Sequence, residues 1–372
     1  MSRPTVYLAI TNHGFGHAVR SAAIANEIQK RCPDVLLILV TTAPRWLLES
    51  YLEGDFIIRP RGFDVGVVQS DSLTMDLVAT QEKWQHIRQQ QRSIIAGEVN
   101  FIQQNQVNLI LADIPPLASL IAQAAGIPCW MMSNFGWDFI YRDWGEEFTE
   151  LADWISGCFN QCDRLFRFPL HEPMTAFPHQ IDVGLTGGDP RFNLDDLREK
   201  LGIITPPEKT ILLTFGGLGL NAIPFDNFSQ YSDYTFITFD VNLPPFPNLI
   251  QVSNSLQLPD LHSHLFRLRP VDLMPLCGRV ISKPGYSTFA EALRLDIPLV
   301  SLTREGFAEA PILLDWLQNY GVHQIITASD FFEKDWDFLN QPLQQPRFSE
   351  RLDKNGNEAI AQAVVDYLLN CD

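Results

Sequence analysis

Two histidines close together, His13 and His17, sit in the segment Thr11-Asn12-His13-Gly14-Phe15-Gly16-His17-Ala18-Val19-Arg20, between an apolar run and a stretch of helical periodicity. Glycines at such a junction let the backbone turn tightly and approach a ligand. A helix N-terminus disfavours an imidazolium, so His17 would be a neutral ring able to take a proton. Structurally, the same ring could simply cap the helix. His13 is the other candidate base, and spacing does not choose between them. The glycines do not follow GxGxxG and no acid stands at the end of the next strand near Thr41, so a nicotinamide dinucleotide fits poorly. Asp113 closes the apolar run Leu109-Ile110-Leu111-Ala112-Asp113, ahead of Ile114-Pro115-Pro116. A carboxylate there could orient an imidazole and stabilise its charged form, or it could be a helix N-cap.

Three further turns could hold an anion. Gly216-Gly217-Leu218-Gly219 follows an apolar run and offers amides to a diphosphate, without the GxxxxGK[ST] pattern of a P-loop. In Ser282-Lys283-Pro284-Gly285-Tyr286-Ser287-Thr288-Phe289-Ala290-Glu291 a strand, a glycine and two hydroxyls lead into a helix, which predicts free amides at an anion. Glu291, one turn inside, could hold vicinal ribose hydroxyls, or pair with Thr288 in a capping box. In Arg304-Glu305-Gly306-Phe307-Ala308-Glu309 an acid would reach a sugar if a nucleotide occupied the Gly285 turn. As solvated first-turn acids, Glu305 and Glu309 would need no such role. Trp130, Trp137, Trp144 and Trp154, with Phe135, Phe139, Tyr141 and Phe148 among them, form an aromatic cluster that could face a sugar or build core. His262 and His264 lack a third metal ligand, and Asp335-Trp336-Asp337 reads as a chance DxD.

Strands must carry these turns. Runs apolar on both parities predict strands at Thr5–Ile10, Val35–Thr41, Phe56–Arg59, Leu109–Asp113, Cys129–Ser133 and Arg164–Phe168, with helices near His17–Lys30, Met75–Gln104, Pro116–Ala125 and Trp144–Asn160. A second series gives strands at Thr210–Phe215, Tyr234–Phe239, Leu249–Val252, Arg279–Ser282, Leu299–Leu302 and Gln324–Thr327, and helices at Asn193–Leu201, Ser287–Arg294 and Pro311–Tyr320. Alternation of this kind is α/β, here two Rossmann-like domains with parallel sheets facing each other across a cleft. Val183–Pro190, with three glycines and a terminal proline, reads as the linker. The expected division is 1–186, 187–354 and a last helix within 355–372 that packs back across the domains.

Composition narrows the chemistry. The 372 residues are 46% hydrophobic and 19% charged, which rules out general disorder, and the net charge of −17 argues against nucleic acid or a polybasic membrane surface. It leaves room for one small anion held by backbone amides. Six cysteines without a CxxC favour a reducing cytoplasm. Val6–Ile10 is too short for a secretory leader. The uncharged stretch Ile114–Trp137 is broken by prolines and a glycine, so no integral membrane segment is expected, while peripheral contact through an apolar loop is left open.

Together these motifs resemble the GT-B glycosyltransferases. The Gly16-His17 turn is similar to the GGH turn of the lipid II N-acetylglucosaminyltransferases and the QGH turn of plant UDP-glycosyltransferases. In the plant enzymes that histidine is the base and a later Asp pairs with it. Over nearly the whole chain, NHGFGHAVR, LADIPPLA, SNFGWDFIY, FGG, SKPGYSTFAEAL and FAEAP resemble the glycosyltransferase-like half of plant L-arabinokinases. The separate kinase part of those proteins is not in this sequence, so the resemblance implies a standalone sugar-transferase module of bacterial type.

The resemblance implies His17 and Asp113 as catalytic residues. It implies Gly216, Gly217, Leu218, Gly285, Ser287, Thr288, Glu291 and Glu309 as donor-binding residues, Glu291 on the ribose and Glu309 on the sugar. His13, Gly16, Arg20, Phe135 and Trp137 are acceptor or phosphate candidates, beside the loop Gly62–Ser72. Arg20 replaces the family's proline and could meet an anionic substrate. Glu309 is followed by Ala310-Pro311 where the plant enzymes have Gln, which leaves the donor sugar open. The implied activity is inverting transfer from a nucleotide-diphosphate sugar, UDP-linked, to an unidentified hydroxyl, with no metal and no resident cofactor. A non-hydrolysing UDP-sugar 2-epimerase and a non-catalytic sugar-nucleotide-binding module are the alternatives.

Overall fold

Strands apolar on both parities can only be satisfied inside a sheet covered on both faces, and the chain builds two of them. The computed structural model describes residues 3–69, 74–216, 223–224, 226–240, 243–252 and 267–371. The first sheet contains β1 (Thr5–Ile10), β2 (Leu36–Val40), β3 (Ile57–Arg59), β4 (Leu109–Asp113), β5 (Cys129–Ser133), β6 (Arg164–Arg167) and β7 (Gln180–Asp182). The second contains β8 (Thr210–Thr214), β9 (Thr235–Thr238), β10 (Leu249–Gln251), β11 (Arg279–Ser282), β12 (Leu299–Leu302) and β13 (His323–Ile326). β1 and β4 are buried along their whole length, as the pattern requires.

The strand orders are β3-β2-β1-β4-β5-β6-β7 and β10-β9-β8-β11-β12-β13. The pairings are parallel throughout, for example Ile10 beside Asp113 and Thr214 beside Ser282. Each sheet reverses its direction of growth once, between β1 and β4 and between β8 and β11. Open α/β sheets bind ligands outside the strand carboxyl ends at such switch points. His17 and Asp113 stand at the first, Gly216 and Gly285 at the second. This topology is the expected two-lobed α/β architecture.

Helices begin and end close to the expected places: Gly16–Arg31, Leu77–Gln104, Leu117–Ala125, Leu194–Leu201, Tyr286–Arg294 and Glu309–Tyr320. The expected Trp144–Asn160 helix is instead a short helix Trp137–Arg142, a turn, and a helix Thr149–Phe159. Gly145 separates them with φ 111°, a conformation that side chains rarely adopt. Between β7 and β8 the chain crosses from one sheet to the other. It is pinned there, with the Leu185 N–H donating to the Asp353 carbonyl and Asn357 Nδ2 to the Gly187 carbonyl. The final helix, Gly356–Leu369, lies against Gly16–Arg31, sharing one apolar core with Ala22, Ala25 and Ile28. The carboxy terminus of the chain therefore closes the amino-terminal lobe.

The lobes meet through apolar side chains. Phe307, from the carboxy-terminal lobe, is buried in the core of the other lobe beside Phe135 and Trp137. Burying a phenylalanine is worth about 1.5–3 kcal/mol, so this one ring contributes to holding the cleft shut.

Candidate active site

His17 is placed by the first turn of the Gly16–Arg31 helix and Asp113 by the end of β4, which pairs directly with β1. Their side chains meet, His17 Nδ1 lying 2.8 Å from Asp113 Oδ1. Both are buried. Arg20, one turn along, completes the cluster: Nε donates to Asp113 Oδ2 at 2.6 Å and Nη2 to Oδ1 at 2.5 Å. Its Nη1 donates to Asn134 Oδ1 at 3.0 Å and its Nη2 also to Ser133 Oγ at 3.2 Å. Ser21 Oγ adds a donor to Asp113 Oδ2 at 3.1 Å. The guanidinium carbon stands 5.1 Å from the Phe168 ring and 5.2 Å from the Tyr286 ring, one from each lobe.

These contacts fix the chemistry of the histidine. His17 Nδ1 also lies 2.9 Å from Arg20 Nη2, so Asp113 and Arg20 compete for it. In the tautomer that turns an Nδ1 proton toward Asp113, Nε2 keeps its lone pair. Burial opposes the charge of Asp113, but Arg20 and then His17 outweigh it and hold its carboxyl down to about 2. Burial lowers His17, Asp113 raises it and Arg20 lowers it again, leaving it below the ordinary imidazole range. A neutral ring with an open Nε2 is competent as a base at neutral pH. His13 differs. Val67 N–H donates to its Nδ1 at 3.2 Å, so its Nε2 carries the proton. Burial, then the charges of His17, Lys283 and Arg304, push it well below its usual value.

Arg20 is thereby corrected from its expected part. It lines the cavity, but its nitrogens face Asp113, His17, Asn134 and Ser133 rather than a substrate anion. Phe135 lines the cavity edge-on to His17, with ring centroids 5.8 Å apart. Trp137 is wholly buried behind it and donates from Nε1 to Thr11 Oγ1 at 2.9 Å, which makes it support rather than surface.

The facing wall comes from the other lobe. The helix Tyr286–Arg294 starts at Gly285 with no side-chain cap, so its first amides open into the cavity. Ser287 and Thr288 line the same wall, and Ser287 Oγ donates to the Gly16 carbonyl at 2.8 Å across the cleft. Two helix N-termini thus face one cavity. Gly216 lines it with φ 81°, and a Cβ there would lie 3.9 Å from Lys283 Cε, so the lysine stem runs over this turn. Gly217 and Leu218 lie outside the described residues, as do His262, His264 and the end of the Gly62–Ser72 loop.

Two expectations for the donor wall change. The capping box does not form, because the helix starts at Tyr286 and places Thr288 inside its first turn. Glu291 turns away from the cavity toward the lobe crossover, where Gly188 N–H donates to Oε1 at 2.9 Å. Burial pushes its carboxyl up to about 7, against the opposing pull of Gly188, Arg269 and Arg294. Position in the helix predicted a ribose contact; the face on which the residue falls is the buried one. Glu309 does line the cavity, buried, with Asn134 Nδ2 donating to its Oε1 at 2.7 Å. Burial raises its carboxyl.

Sequence reasoning passed over Lys283, Arg304, Phe307 and Gln69, all of which line the cavity, and Asn134 behind it. Lys283, Asn134 and Arg304 stood inside motifs read for their neighbours. Asp64 was also missed. It accepts from Asn12 N–H at 2.7 Å and from Thr11 Oγ1, and burial lifts its carboxyl to about 7. Among the described residues no group of three or more His, Cys, Asp or Glu side chains is placed to hold a metal ion, and no helix is long and apolar enough to cross a membrane.

Two parallel sheets opening their switch points onto one cleft define the GT-B fold, and comparison with known proteins agrees. A curated relative in sequence is L-arabinokinase of Arabidopsis thaliana, 30% identical over 325 residues that cover 85% of this chain and 30% of that protein. The chain thus spans under a third of its relative's length. No family model matches it. Among solved structures, UGT89C1 of Arabidopsis thaliana complexed with quercetin matches with a TM-score of 0.60 at 14% identity, over 99% of this chain and 93% of the other. CalG4, the calicheamicin glycosyltransferase, matches with 0.61 at 15% identity over 100% of both chains. A UDP-glucose: anthocyanidin 3-O-glucosyltransferase in complex with UDP matches with 0.62 at 11% identity, over 98% and 95%. The expected GT-B fold and the resemblance to L-arabinokinase are borne out.

Proposed function

We propose that this chain is an inverting, metal-independent glycosyltransferase that moves a sugar from a UDP-sugar to an acceptor hydroxyl, with His17 as general base. The observation that carries it is the His17 Nδ1–Asp113 Oδ1 contact of 2.8 Å, which leaves Nε2 open on a ring lining the interlobe cavity. Opposite stand the first amides of the Tyr286–Arg294 helix with Gly216, Ser287 and Thr288, a cradle for a diphosphate. Lys283 adds a cation at the same wall. Solved structural neighbours hold UDP and UDP-L-rhamnose, which favours uridine nucleotides here.

In the reaction the acceptor oxygen attacks the anomeric carbon from the His17 side. The bond from that carbon to the diphosphate oxygen breaks, and its electron pair leaves on UDP. His17 Nε2 takes the acceptor proton, and Asp113 balances the imidazolium that forms. Helix amides and Lys283 stabilise the leaving diphosphate, the work a metal performs elsewhere. Glu309 holds the sugar hydroxyls. The acceptor lies near His13, Phe135 and the described part of the Gly62–Ser72 loop. The free cysteines, four of them buried, support a reducing cytoplasm.

A thermal-shift panel of UDP, GDP and dTDP sugars identifies the donor, because a ligand of the native state raises its melting temperature. Product NMR then reads the anomeric configuration. Inversion with UDP release supports the proposal. Retention contradicts it, as does an epimerised donor without acceptor, the outcome an epimerase gives. Donor binding with no turnover on any acceptor leaves a binding module.

A further inference from the structure

Glu309 crosses the interlobe cleft to Asn134, a residue to which the mechanism above gives no part. Asn134 follows β5, is fully buried, and has both ends of its amide committed. Nδ2 donates to Glu309 Oε1 at 2.7 Å and to the Leu170 carbonyl at 3.3 Å, while Oδ1 accepts from Arg20 Nη1 at 3.0 Å. Arg20 grips both oxygens of Asp113, and Asp113 meets His17. One file of hydrogen bonds therefore runs Glu309–Asn134–Arg20–Asp113–His17, beginning in the carboxy-terminal lobe and ending on the imidazole. Neighbouring contacts show that the whole Gly306–Glu309 segment is docked. Trp144 Nε1 donates to the Gly306 carbonyl at 2.9 Å, and Phe307 stacks on His13 with centroids 6.1 Å apart.

We infer that Asn134 is a positioning residue that couples closure of the lobes, sensed through Glu309, to the geometry of the His17–Asp113 pair. The inference rests on His17 being the base. An amide whose two ends are bonded in different directions cannot rotate without breaking one bond, so it links the carboxylate to the guanidinium rigidly. In a buried setting such charge-assisted bonds are strong and reinforce each other. If the lobes part, Asn134 loses Glu309 and Arg20 loses the Tyr286 ring, the two contacts that come from the far lobe. The base is then held at full precision only in the closed cleft, where the donor is shielded from water.

The test is a double-variant cycle on the full chain, read first by thermal unfolding, which needs no assumption about function. With N134A and E309A coupled, the double variant melts no lower than the worse single variant. Additive losses overturn the link, since independent sites add. Should N134A fail to fold, N134D with E309Q replaces it. N134D sets a carboxylate against Glu309 and lowers the melting temperature, the pair restores a donor and recovers it, and no recovery overturns the link. Turnover then reads the coupling to the base. N134A is expected to lower kcat about 10- to 100-fold while donor KM moves less than about threefold, the signature of a displaced catalytic group. Unchanged kcat, or a rise in KM alone, overturns the positioning role. A wild-type chain that turns over no UDP-sugar would contradict the function itself, and the unfolding cycle would still decide the link.

Discussion

Arg20 holds both carboxylate oxygens of Asp113, at 2.6 and 2.5 Å, inside a cluster closed to solvent. That pairing changes what the aspartate does for His17. A carboxylate shared only with an imidazole would draw a proton onto the ring and keep it there. Here burial is the main force against protonation of the ring, and the positive charge of the guanidinium adds to it against the pull of Asp113. His17 is thus oriented by Asp113 yet left neutral, the state a base needs before it acts.

Removing Arg20 strands a buried charge. Arg20→Met is expected to cost about 3–5 kcal/mol in a denaturant melt, because an uncompensated buried carboxylate is left behind. A loss under about 1 kcal/mol would show that Asp113 is not held in this way.

The share of stability that two buried carboxyls contribute should fall as pH rises from mildly acidic to neutral. Glu291 and Asp64 are each raised to about 7 in the fold, from ordinary values of 4.5 and 3.8. For a carboxyl raised by folding, the stability it supports is complete below the unfolded value and lost as pH climbs through the folded one. Glu291→Gln removes its share. Its melting temperature should match wild type near about pH 4 and exceed it near about pH 8, by the equivalent of about 1–3 kcal/mol. The reverse ordering at the higher pH contradicts the assignment.

The fold was legible because the strands are apolar on both parities: β4, β5 and β11 run Leu109–Asp113, Cys129–Ser133 and Arg279–Ser282, as the sequence pattern predicts. His17 and Asp113 were legible for a related reason, since each ends or follows a strand at a place the topology makes a switch point. What was not legible depends on rotation about helices and on contacts between lobes. Glu291 lies on the buried face of its helix, and one step of 100° decides between ribose and crossover. By sequence Arg20 is a cation one helical turn beyond His17; only three-dimensional proximity shows that Asp113 consumes it. Asn134 and Lys283 sat within recognised motifs, but their partners, Glu309 and the Gly216 turn, lie far along the chain.

His13 should matter less than His17. Its Nδ1 accepts from the backbone of Val67, so the ring presents a proton rather than a lone pair. His13→Ala is expected to raise acceptor KM while kcat falls less than about tenfold, against the 10²–10⁴-fold typical of a lost general base. If the two alanine variants exchange these behaviours in steady-state kinetics, the roles are exchanged.

Lys283 should recognise phosphate rather than nucleoside. Lys283→Ala is expected to weaken UDP binding about tenfold in calorimetry, leave uridine binding unchanged, and flatten the salt dependence of UDP binding. An equal loss for uridine would mean that the wall, and not its charge, had been damaged.

The most direct test replaces His17 with alanine and measures donor affinity and acceptor-dependent UDP release on the same folded preparation. The account predicts a donor Kd within about twofold of wild type and a kcat lower by about two orders of magnitude or more. Turnover at the wild-type rate with the donor still bound would contradict it, because the proton would then have left the acceptor by another route.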